Sequence, residues 1–97
     1  MKRPWKTQTI GAAMRQAIER QGLERGIAEQ RLIHQWPELV GPAIATHATP
    51  QRLRGGVLWL QVEDAAWRQE LSLMRRELIA KINAWAGEEM VKELRLR

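Results

Sequence analysis

The chain has 97 residues, of which 44% are hydrophobic and 28% charged, a balance that excludes a disordered or low-complexity protein and predicts one globular domain. It contains no cysteine, which excludes disulfides, thiol catalysis and cysteine metal sites and fits a reducing cytoplasm. Sixteen Lys and Arg against eleven Asp and Glu leave a formal net charge of +5, which favours an anionic partner, nucleic acid first.

The N-terminus, Met1-Lys2-Arg3-Pro4-Trp5-Lys6, is basic. No apolar stretch follows, as a signal peptide would require, and no run approaches the ~20 apolar residues of a membrane span. Residues 1–7 are therefore read as a basic arm, and 8–97 as a single domain. Over 8–21, Ile10, Ala13, Met14, Ala17 and Ile18 recur at helical spacing on one face. Thr7 or Thr9 offers a cap and Gly22 a left-handed stop. A second helix is expected over 24–36, with Ala28, Leu32, Ile33 and Trp36 inward; Pro37 either disrupts it or opens a short third helical piece. The piece from Glu38 to Thr46 contains Gly41-Pro42 and is expected to be irregular.

Two strands follow, over 49–54 and 56–63, joined by the hairpin signal Gly55-Gly56. In the second, Leu58, Leu60 and Val62 share one face, while Val57, Trp59, Gln61 and Glu63 share the other. Residues 65–86 predict the longest helix, with Trp67, Leu71, Met74, Leu78, Ile82 and Trp85 on one stripe, Asp64 as N-cap and Gly87 as stop. Residues 89–96 alternate as a third strand, Met90, Leu94 and Leu96 opposite Val91, Glu93 and Arg95. The order α-α-β-β-α-β predicts an α+β fold. Its three-stranded sheet is mixed, because a hairpin is antiparallel and a strand–helix–strand crossover is parallel, and the helices pack on one face.

Catalytic chemistry finds little to stand on. His34 and His47 are the only histidines, and His34 with Glu38 makes an i, i+4 pair without the H-E-x-x-H pattern of metalloproteases. Glu63 and Asp64 stand at a helix start, where capping and the helix dipole account for them. Ser72, the only serine, lies mid-helix with no nearby histidine, and no glycine-rich phosphate loop is present. The chain is read as a non-enzyme with no cofactor and no metal.

Binding chemistry is better represented. There are five Trp and no Phe or Tyr. Trp67 and Trp85 lie on the apolar stripe of the long helix, and Trp36 lies where a helix breaks. Trp59 faces outward if Leu58, Leu60 and Val62 face inward, which places it to stack on a base or a partner side chain. No acid occurs from Thr46 to Gln61, so Arg52 and Arg54 have no local counter-charge. With Lys2, Arg3 and Lys6 of the arm and Arg95 and Arg97 at the C-terminus, they are the expected phosphate contacts. Arg75 and Arg76 are read as a solvated helix face.

Three stretches then fall into a known pattern: Trp36-Pro37-Glu38-Leu39-Val40-Gly41, His47-Ala48-Thr49-Pro50, and Leu53 through Val62 with Arg54-Gly55-Gly56-Val57 and Trp59. Together with Ala66-Trp67-Arg68-Gln69-Glu70-Leu71 and the ending Ile82 to Arg95, they resemble the DciA family over about residues 8–97. The resemblance implies a KH-like domain that binds the bacterial replicative helicase of the DnaB type, assists its loading on DNA and binds single-stranded or branched DNA in the cytoplasm. It also makes Trp36 and Trp67 expected partner contacts, beside the outward-facing Trp59. The GxxG loop of nucleic-acid-gripping KH domains is absent, and the chain carries almost none of the disordered tail found in many relatives. A stand-alone protein binding RNA or DNA is the alternative.

Overall fold

The computed structural model describes residues 4–97, with side chains from residue 11 onward. Its elements run α1 (Pro4–Val40), α2 (Pro42–His47), β1 (Ala48–Arg54), β2 (Val57–Val62), α3 (Ala65–Leu73), α4 (Arg75–Ala86) and β3 (Glu93–Leu96). Residues 1–30 form one compact unit and residues 31–97 a second.

The two expected N-terminal helices are one helix. α1 starts at Pro4 rather than at residue 8 and passes through Gly22 without interruption. A helical glycine costs about 1 kcal/mol relative to alanine, which weakens a helix without ending it. Pro37 lies one turn from the end, where the helix can continue only to Val40. The piece expected to be irregular is instead α2, opened by Pro42 at its first position. Between the helices, Gly41 adopts φ 92° and ψ 159°, a conformation accessible essentially to glycine alone.

In the first unit, the expected apolar face is not buried where its side chains are described. Met14 and Ile18 are 57% and 62% exposed. In the second unit the inward assignments hold, with Leu32 and Trp36 in the core. The Trp36 indole N–H donates to the Ala48 carbonyl at 2.8 Å, which satisfies the one polar group this large side chain brings inside.

The sheet has the order β1-β2-β3, with β1 antiparallel and β3 parallel to β2. Gly55 and Gly56 both have positive φ, as a tight primed hairpin turn requires. Leu58, Leu60 and Val62 are buried, at 1%, 0% and 1% exposure, beneath Leu71, Leu78 and Ile82 of α3 and α4. The long-helix stripe therefore faces the core as expected. The helix itself breaks at Met74, whose N–H bonds to Leu71 one residue short of α-helical spacing. Asp64 caps α3 by accepting from the Ala66 N–H at 2.8 Å, and Gly87 ends α4 at φ 76°.

The third strand is shorter than its alternation suggested, because Val91 is buried on the same side as Leu94. Asn83 holds the turn between α4 and β3: its Oδ1 accepts from the N–H of Met90 and Val91, and its Nδ2 donates to the Val91 carbonyl.

Three substitutions probe local and tertiary constraint. Gly22→Ala is expected to stabilise α1 by about 0.5–1 kcal/mol, since nothing lies within 4 Å of an added Cβ; helical circular dichroism should rise slightly. Gly41→Ala is expected to cost about 1–3 kcal/mol, read as a fall in Tm. Asn83→Ala should cost about 1–3 kcal/mol by leaving part-buried backbone groups unpaired, and denaturant titration would measure it.

Candidate nucleic-acid interface

The pleat of β2 builds the site. With Leu58, Leu60 and Val62 turned to the helices, Val57, Trp59 and Gln61 must point to the opposite side of the sheet. β1 reaches the same arrangement through an irregularity. Its register passes from Pro50↔Leu60 to Arg52↔Trp59, leaving Gln51 as an extra residue. Ala48 and Pro50 are buried, Leu53 is half-buried, and Gln51, Arg52 and Arg54 are exposed. Without that bulge, strict alternation from Pro50 would turn Arg52 and Arg54 toward the helices. The bulge puts both arginines beside Trp59 and Val57. The Gln51 side chain hydrogen-bonds to that of Gln61 on β2.

β3 completes the row. Trp59 lies opposite Arg95, and Val57 opposite Glu93. The Arg95 and Arg97 guanidinium carbons lie 5.1 and 4.6 Å from the Trp59 ring centroid. Such contacts are worth about 0.5–1 kcal/mol each at exposed sites. Arg95 is also ion-paired to Glu93, the only acid in the three strands. Arg52, Arg54, Arg95 and Arg97 thus share the side of the sheet away from the core, around one half-buried indole.

The other expected site residues are dispersed. Trp36 is 2% exposed and offers no surface to a partner. Trp67 is half-buried and stacks on the His47 imidazole at 4.6 Å between centroids. Trp85 donates to Gln35 and lies beneath Arg31. Lys2 and Arg3, and the side chains of Trp5 and Lys6, lie outside the described residues. Among the described residues no three His, Asp or Glu side chains converge as a metal site would need, and no helix is long and apolar enough to cross a membrane.

The comparisons with known proteins follow the same outline. Residues 9–96 match the family model described as "Dna[CI] antecedent, DciA". The chain belongs to the DciA family. It is 37% identical over 89 residues to the UPF0232 proteins of Mycobacterium tuberculosis (strain H37Rv) and Mycobacterium ulcerans, covering 92% of this chain and 48% of each relative. The corresponding protein of Rhodococcus jostii is 35% identical over 92% of this chain and 47% of its own length. The chain spans about half the length of these curated relatives.

The bulge gives this site its own prediction. Gln51→Ala should change stability by less than about 0.5 kcal/mol, as for other exposed positions. Deleting Gln51 should abolish cooperative thermal unfolding, because one end of β1 must then turn arginines into the core or its apolar residues out of it. A deletion variant with an unchanged Tm would show that the bulge does not set the arginine face.

Proposed function

We propose that this chain is a non-enzymatic cytoplasmic replication factor that binds the DnaB-type replicative helicase, assists its loading, and holds single-stranded or branched DNA on its open sheet face. The observation that carries the DNA-binding part is the grouping of Arg52, Arg54, Arg95 and Arg97 around Trp59, with Glu93 as the only acid in the strands. Arginine donates several hydrogen bonds from a planar fork that suits phosphate. Trp59 holds two of these forks against the sheet, so less side-chain freedom is lost when a phosphate arrives. Bases stack on the guanidinium planes that lie over the indole, which tolerates any sequence. The helicase part rests on the family to which the chain belongs.

The charge-reversed variant Arg52→Glu/Arg54→Glu should bind a single-stranded oligonucleotide at least about tenfold more weakly by fluorescence anisotropy, with Tm nearly unchanged. For about four neutralised phosphates, the log–log salt slope of the unaltered protein should be roughly −3. Undiminished binding by the variant would remove the sheet face as the site. A loading assay with the organism's own helicase tests the other half: DNA binding without any effect on loading would leave a stand-alone nucleic-acid-binding protein.

A further inference from the structure

The two outer edges of the sheet are built differently. The β1 edge carries Pro50 and the bulge at Gln51, both of which obstruct pairing with another strand. β3 has neither, and among the described residues the order β1-β2-β3 leaves its outer edge without a strand neighbour. The hydrogen bonds show which groups are free to pair. The Glu93 and Arg97 N–H groups donate to Gly56 and Leu60, and the Arg97 carbonyl accepts from Val62. In a parallel pair, each residue directs its N–H and C=O to the same neighbour, and residues alternate. The odd-numbered residues therefore serve β2, and Leu94 and Leu96 turn both backbone groups to the outer edge.

Beside that edge lies an open groove of about 440 Å³ between α4 and β3. Ile79 and Leu96 supply apolar surface, Arg75 and Lys92 supply positive charge, and the one acid, Glu93, is already paired with Arg95. A phosphodiester backbone offers acceptors only, so it would leave the Leu94 and Leu96 carbonyls unmatched. An extended polypeptide matches both donors and acceptors.

We propose that the outer edge of β3 receives an extended acidic peptide as a fourth strand, its apolar residues against Ile79 and Leu96 and its carboxylates near Arg75 and Lys92. The site shares β3 with the proposed DNA contacts Arg95 and Arg97, but its pairing groups belong to Leu94 and Leu96 and it does not depend on Arg52 and Arg54 of β1. The test titrates the full chain with a short peptide of alternating glutamate and valine and follows amide hydrogen exchange by NMR. At saturation, exchange at Leu94 and Leu96 should slow at least about tenfold while Arg95 changes little. A lysine–valine peptide, and the Arg75→Glu/Lys92→Glu variant with the original peptide, should each bind about tenfold more weakly. One of the two alternately N-methylated forms of the peptide, which blocks the pairing edge without altering the protein, should lose binding. No binding, equal binding by both N-methylated forms, or protection of these two amides by a single-stranded oligonucleotide instead of the peptide would overturn the proposal. Arg52→Glu should leave peptide binding unchanged, so failure of the DNA-binding reading would leave this one standing.

Discussion

β2 hydrogen-bonds to a strand on each edge, and its apolar face packs against helices. Its alternation is thereby converted into two surfaces. Leu58, Leu60 and Val62 anchor the core, where truncation of a leucine typically costs about 2–5 kcal/mol. That anchoring pins the register, because a slip of one residue would exchange the two faces of the strand. Trp59 is outward for the same reason that its neighbours are inward.

The neighbouring strands turn this polarity into a basic surface. β3 presents Arg95 opposite Trp59 with no irregularity, since its own leucines are inward. β1 needs the extra residue Gln51 to bring Arg52 and Arg54 to the same side. Four like charges on one face repel one another and contribute little to stability. The ion pair with Glu93 and the contacts with Trp59 offset only part of that repulsion. A surface of this kind is an electrostatic liability in the free protein and an advantage once an anion covers it.

Much of this was legible in the residues. The inward stripe from Trp67 to Trp85, the Asp64 cap, the Gly87 stop, the Gly-Gly hairpin and the outward Trp59 all follow from period, capping chemistry and turn chemistry, which act over a few neighbouring residues. The misreadings have a different origin. Gly22 and Pro37 resemble helix ends because each costs helical free energy, yet neither cost outweighed propagation through residues on both sides. The break at Met74 carries no glycine or proline to announce it. Asn83 gave no signal, because its three hydrogen bonds join it to a turn seven and eight residues away.

What the sequence by itself determined was therefore the identity of each face: which side of each strand or helix is apolar, where the charge excess lies, and that the sheet is mixed. The tertiary structure decided what covers those faces. It left Met14 and Ile18 exposed on a stripe that reads as core, and it brought arginines from both edges of the sheet to one face, those of β1 through a single extra residue. Periodicity is local and survives in the sequence. Coverage and register depend on residues far apart in the chain, and only the folded arrangement brings them together.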